Sequence, residues 1–173
     1  MTDIEQKLYA QIGLLSTQFA SIEHQVQEIL ARYITHGDSN NMLVGLILDK
    51  DNLEKKLQHL EKAVLFELHK KQPIRDYISK VREQKSLRNS FIHGSWFVSS
   101  KLGNDVIGVY HNTVTKFYPI SSGNDPDNPG WQMGTETYYT LKNLQEINER
   151  IKGIYCHGQT LIKEMDNGEF EFF

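Results

Sequence analysis

From Ile4 onward, apolar residues recur every three or four positions. Ile4, Leu8, Ile12, Leu15, Phe19, Ile22, Val26, Ile29, Leu30 and Tyr33 fall within one broad stripe at about 100° per residue. This pattern predicts an amphipathic helix from roughly Asp3 to His36. Gly37 suits its C-terminal stop, and Asp38, Ser39 or Asn40 can accept from the free N–H groups that open the next helix. A second stripe, Met42, Leu43, Leu46, Leu53, Leu57, Leu60, Val64 and Leu68, predicts a long helix antiparallel to the first. His69, Lys70 and Lys71 stand at its negative end. Pro73 suits the first turn of a third helix, because its missing N–H would have no partner there. Ile74, Tyr77, Ile78, Val81 and Ile92 give that helix its buried side, and it is expected to run on to Gly94.

Beyond Gly94 the periodicity changes. Residues 95–100, 106–110 and 113–120 are rich in Val, Phe, Tyr and Thr and read as short strands. Residues 101–105 and His111-Asn112 supply turn chemistry, and residues 121–130 form a polar loop dense in Gly, Pro, Asn and Asp. Residues 135–139 add a last strand. Thr140 then caps a helix whose stripe is Leu141, Leu144, Ile147, Ile151, Ile154, Tyr155, Leu161 and Ile162. Gly158 lies on that stripe, where it marks a tight helix crossing. The fold expected is mainly α: an up-and-down bundle of about four long helices. A small antiparallel β insertion, about 95–140, lies between the third and last helices. The tail, with Phe170, Phe172 and Phe173, either docks on the bundle or binds a partner.

The length of 173 residues suits one domain covering 1–173, and 39% hydrophobic with 24% charged residues suits a globular chain. Lys and Arg number 19 against 22 Asp and Glu, a formal net charge of −3, so nucleic-acid binding would need a local basic patch. The single cysteine, Cys156, cannot form an internal disulfide. The start has no basic-then-apolar leader and no stretch nears the roughly 20 apolar residues of a membrane span, so a cytoplasmic protein off the membrane is expected. The seven histidines show no zinc-binding spacing, and no phosphate loop or dinucleotide fingerprint is present, so neither metal nor cofactor is expected. Cys156 and His157 are adjacent, hence about 100° apart on a helix, which argues against a nucleophile–base pair.

The segment richest in chemistry is Arg88-Asn89-Ser90-Phe91-Ile92-His93-Gly94. Arginine clamps phosphate through a planar fork, and histidine transfers protons near neutral pH, which together suggest phosphoryl chemistry. Five residues apart on an ideal helix, the two point about 140° away from each other. A working pair therefore requires either that the helix unwind near Gly94 or that a second copy complete the site in a symmetric dimer.

The run LRNSFIHGSW resembles the R-x4-6-H signature, often written RNxxxH, of the HEPN superfamily, and the order of elements agrees. The resemblance covers the three N-terminal helices and the C-terminal one. It implies a helical bundle with the motif at the end of a late helix, dimerisation at that site, and metal-independent endoribonuclease activity. Carried over, Arg88 would stabilise the crowded phosphate, His93 would act as acid or base, and Asn89 would orient one of them. The nucleophile would be the RNA's own 2′-hydroxyl, leaving a 2′,3′-cyclic phosphate and sparing DNA. Glu23, at the edge of the first stripe, is the candidate for the acidic residue many members carry. A toxin or defence role would follow, with RNA, a second copy and an antitoxin or other protein as partners. Some HEPN domains only bind nucleotides or proteins, and that non-catalytic reading stays open.

So does a structural reading, in which Arg88 pairs with a carboxylate such as Glu23 to hold the bundle and His93 caps a helix end. Lys70, Lys71, Arg75, Lys80, Arg82 and Lys85 could form a basic approach to RNA, with Trp96 stacking a base. The interleaved Asp76 and Glu83 fit a solvated helix face equally.

Overall fold

The computed structural model of the chain describes residues 2–35, 48, 50–65, 71–98, 106–110 and 136–169. Among these, helices α1 (Asp3–Ile34), α2 (Leu53–Leu65), α3 (Gln72–Glu83) and α4 (Lys85–His93) precede strands β1 (Ser95–Val98), β2 (Val106–Tyr110) and β3 (Glu136–Thr140), and α5 (Leu141–Asp166) follows. The fold is mainly α, a helical bundle with a small antiparallel β insertion between α4 and α5. Among the described residues no helix is long and apolar enough to cross a membrane.

The two long helices begin in the same way. The Thr2 hydroxyl accepts from the Glu5 N–H while the Glu5 carboxylate accepts from the Thr2 N–H, and Thr140 and Asn143 repeat the reciprocal arrangement at the start of α5. Two orphan donors are satisfied at each start, which sets the helix phase before the apolar stripe begins. The stripe of α1 is then buried as its period requires, from Leu8 to Tyr33. Its principal partner is α5, whose Leu144, Ile151, Ile154, Leu161, Ile162 and Met165 are buried. Contacts at Gln11–Asn148, Gln25–Tyr155 and Arg32–Asp166 advance together along both helices, so α1 and α5 run parallel. Gly158 lies at a tight crossing, as expected: a Cβ there would sit 2.9 Å from the Tyr77 hydroxyl of α3.

Two helices are shorter than the periodicity predicts. The stripe from Met42 to Leu68 is not one helix, because the chain turns at 50–52 and Asn52 Oδ1 accepts from the Lys55 N–H to open α2. Positions 36–47, 49 and 66–70, with the expected caps at 38–40, lie outside the described residues. The third helix does not run unbroken to Gly94 either. At Gln84 (φ −89°, ψ 0°) the N–H turns to the carbonyls of Arg82 and Val81, and the axis is redirected. On the two sides of the break α3 packs on α2 and α5 while α4 packs on α1. Pro73 in the first turn, the buried Ile74, Tyr77, Ile78 and Val81, and the stop at Gly94 hold, but Ile92, expected on the buried side, is 38% exposed because it lies on α4 beyond the break. A Cβ on Gly94 would collide with Val109 and the Ser90 carbonyl, so the missing side chain lets α4 pass directly into β1.

The sheet has order β1-β2-β3, both pairs antiparallel, with Trp96 opposite Val109 and Ile107 opposite Tyr139. Ile107 and Val109 are buried. Phe91 of α4 joins the sheet to the helices, its ring lying 4.8 Å from Trp96, 5.5 Å from Tyr139 and 6.3 Å from Phe19 of α1. Strand β1 is described to Val98 and β3 runs one residue past the expected 135–139. The expected strand 113–120 and the aromatic tail from Phe170 lie outside the described residues.

Candidate functional site

Helix α4 is short and carries every residue of the Arg88–His93 segment. Only Phe91 among them is buried, while Asn89, Ile92 and His93 are exposed. Arg88 turns toward α1, where its Nη2 donates to Glu23 Oε2 at 2.5 Å and its Nη1 donates to Asn89 Oδ1 at 3.2 Å. The ion pair is partly wet, with side-chain exposures of 20% for Arg88 and 26% for Glu23. Arg88 Nε is buried and has no hydrogen-bond partner among the described residues. Glu23 thus holds the guanidinium through Nη2 and Asn89 holds it through Nη1, while Nε is turned into the protein.

His93 is the last residue of α4, and the helix stays regular up to it. Arg88 and His93 therefore point about 140° apart on one chain. The structure brings Arg88, Asn89 and Glu23 together but does not bring His93 to them. Ile92, 38% exposed, places an apolar side chain beside His93 at the open end of α4.

Of the remaining predicted basic residues Lys80 is exposed on α3, but Lys71, Arg75, Arg82 and Lys85 are engaged within the fold. Lys85 Nζ donates to Glu54 Oε2 at 2.9 Å, and Arg82 donates to both carboxylate oxygens of Glu61 at 3.3 and 3.0 Å, tying α3 and α4 to α2. The Lys85 ammonium holds the Glu54 carboxyl below the usual carboxylate range against the opposing effect of burial, and Glu61 strengthens the Arg82 guanidinium as a cation. Lys71 is buried, with its ammonium 5.4 Å from the centre of the Tyr33 ring, and Arg75 donates to the Val64 carbonyl at 3.4 Å. Lys70 lies outside the described residues. Trp96 packs against Phe91 and Tyr139 and donates its indole N–H to the Phe91 carbonyl at 3.4 Å, so its ring is engaged within the fold.

A polar centre that periodicity passes over lies between α1, α3 and α5. Gln25 Nε2 donates to the Tyr155 carbonyl at 3.1 Å, and Gln25 Oε1 accepts from the Tyr77 hydroxyl at 3.2 Å. Burial pushes the Tyr77 phenol well above its ordinary range. Beside it, His157 meets the Tyr77 ring edge-on at 5.6 Å, and burial followed by the Lys80 charge lowers its pKa. Cys156 is exposed and His157 half-buried, so the adjacent pair diverges as helical spacing requires. The sequence signal for this centre is Gln25 standing between Ile22, Val26 and Ile29 on the apolar stripe. Among the described residues no cluster of three or more His, Cys, Asp or Glu side chains could hold a metal ion.

No family model, curated protein or solved structure matches this chain.

Proposed function

We propose that the protein is a HEPN-type endoribonuclease that works as a homodimer and cleaves single-stranded RNA without a metal. The observation that carries this reading is the Arg88 guanidinium at the surface of α4, partly wet and bound to Glu23 through Nη2 alone, five residues before an exposed histidine at the helix end. Because regular α4 keeps the two side chains on different faces, the cleft takes Arg88 from one copy and His93 from the other. Exposed Ile92 lies where that partner would pack. In this mechanism a scissile phosphate displaces Glu23 from Arg88, which then stabilises the charge that builds on the phosphate oxygens. His93 removes the 2′-hydroxyl proton or protonates the 5′-oxygen leaving group, and Asn89 holds the guanidinium in place. The product carries a 2′,3′-cyclic phosphate. A cytoplasmic toxin or defence role, with a protein antitoxin, belongs to the same proposal.

The second reading is a non-catalytic protein- or nucleotide-binding module. It is favoured by the salt bridges that already occupy Arg82, Lys85 and Arg88, which leave few free cations to gather RNA.

Cleavage of single-stranded RNA by purified protein in EDTA separates the two. The nuclease yields cyclic-phosphate ends, spares DNA, and loses about 10²- to 10⁴-fold of its rate in His93→Ala at unchanged helicity. Full activity in that variant would remove His93 from the site, and absence of cleavage by the wild-type dimer would leave the binding module.

A further inference from the structure

A groove of about 400 Å³ runs between α1 and α5. It lies on the far side of α1 from the Arg88 pair, since its wall residue Ser21 stands about 160° around the helix from Glu23. Its floor includes Asn148, only 4% exposed although polar. Asn148 Nδ2 donates to the Gln11 carbonyl at 3.3 Å and to Gln11 Oε1 at 2.6 Å. A backbone carbonyl can only accept, so the nitrogen end of the amide is fixed there and Oδ1 is turned the other way. Asn148 Oδ1 is buried with no donor among the described residues, and so is the oxygen of Gln18, which also lines the groove.

The hydroxyls on the α1 wall of the groove do not supply the missing donors. Thr17 Oγ1 donates to the Gly13 carbonyl and Ser21 Oγ donates to the Thr17 carbonyl, each at 3.0 Å, so both protons are committed to the α1 backbone. What remains on their oxygens is acceptor capacity. The wall is otherwise apolar, with Leu14 46% exposed and Tyr155 half-buried. At the rim, Lys152 and Glu149 approach to 3.8 Å and offset each other's charge. Two buried acceptors without a donor, an apolar wall and offset rim charges suit an uncharged ring that carries N–H donors on one edge.

We propose that this groove is a ligand site for an uncharged heteroaromatic ring bearing an NH2 group, whether a primary carboxamide or an aminopurine. The amino edge faces Asn148 and Gln18 and enters as the rim side chains shift aside. The ring lies against Leu14 and Tyr155. Binding here is independent of the nuclease reading, because no residue of the Arg88 segment lines the groove.

Cys156, the only cysteine and exposed in the groove, gives a direct readout. The rate of its alkylation by iodoacetamide is followed by mass spectrometry on the intact protein with nicotinamide or adenine as probe. The controls are N,N-dimethylnicotinamide and 6-dimethylaminopurine, which keep the rings but lose the NH2 donors. Molecules of this size bind with Kd near about 1 mM, so a probe at about ten times that concentration slows alkylation about tenfold. The dimethyl analogues leave the rate unchanged. Gln18→Leu, at a half-buried position, abolishes the difference between each probe and its analogue, and Ser21→Trp abolishes protection altogether, both at unchanged helicity. Equal protection by probe and analogue, or protection by neither probe, overturns the proposal.

Discussion

Helix α1 is held along two sides by different chemistry. In the interior its polar links toward α5 and α3 are neutral amides, Gln11 with Asn148 and Gln25 with the Tyr155 carbonyl and the Tyr77 hydroxyl, and an Arg32–Asp166 ion pair closes the end, where the Asp166 side chain is 48% exposed. Toward α4 the link is the charged Glu23–Arg88 pair. The difference follows from burial. Gln25 and Asn148 are buried, where a neutral amide needs only its hydrogen bonds while an ion would also lose its hydration. Glu23 and Arg88 stay partly in water, so their charges cost little to keep and can be exchanged for another anion. The amide side specifies how helices pack, and in the nuclease reading the ionic side is where a phosphate competes.

The largest expected effect falls where the ionic side meets the sheet. Phe91→Ala empties the position between Phe19, Trp96 and Tyr139 and should cost about 3–5 kcal/mol in urea unfolding. A smaller loss would mean that the strands can collapse onto α4, and that α4 is a loosely seated carrier of the motif. On the amide side, Gln25→Leu leaves the Tyr77 hydroxyl and the Tyr155 carbonyl without their partner and should cost about 1–3 kcal/mol. A neutral result there would erase the distinction between the two sides.

The ionic link itself should be weak. A double-mutant cycle of Glu23→Gln and Arg88→Gln is expected to give a coupling of about 1 kcal/mol or less, because both side chains are partly hydrated. In the nuclease reading Arg88→Gln nevertheless removes most cleavage, and Glu23→Gln strengthens binding of inorganic phosphate by freeing the guanidinium. A coupling of several kcal/mol, with phosphate binding unchanged in Glu23→Gln, would instead make the pair a strut of the bundle.

The smallest effect is a pH dependence. His157 has a lowered pKa in the folded state, so between that value and the unfolded value near 6.5 the unfolded chain binds more protons and stability rises with pH. The contribution is complete above about pH 6.5 and is lost as pH falls below it. Thermal midpoints should therefore decline on acidification through that range in the wild type and stay flatter in His157→Leu. Glu54, lowered by Lys85, has the same sign in a more acidic window: its contribution is present above about pH 4.3 and lost as pH falls through its folded value.

Much of this was legible in one dimension. Repeating apolar positions marked α1 and α5, and Thr140 caps α5 where its sequence context places it, while the matching Thr2 cap of α1 emerged only in the structure. Gly94 marked the end of α4 for a reason the geometry makes concrete, the close approach of Val109. The break at Gln84 left no such mark. Neither Pro nor Gly stands beside it, and the only trace is a lapse of the apolar stripe, where Gln84, Lys85 and Arg88 take the positions three, four and seven after Val81. The same holds for the basic residues. Their spacing suggests a path toward Arg88, but Glu54 and Glu61, more than 20 positions earlier in the chain, take up Arg82 and Lys85.

The chain's own pattern determined which segments are helical, where the strands enter, and that the Arg88–His93 segment sits at a helix end, because local hydrogen bonding and side-chain period are carried by neighbouring residues. Tertiary structure alone decided that Arg88 faces Glu23 while His93 faces away, and that buried amides line a groove between α1 and α5. Those pairings join residues 65 and 137 positions apart, and no local rule reaches across such a distance. Only the packing of whole helices fixes which polar groups meet.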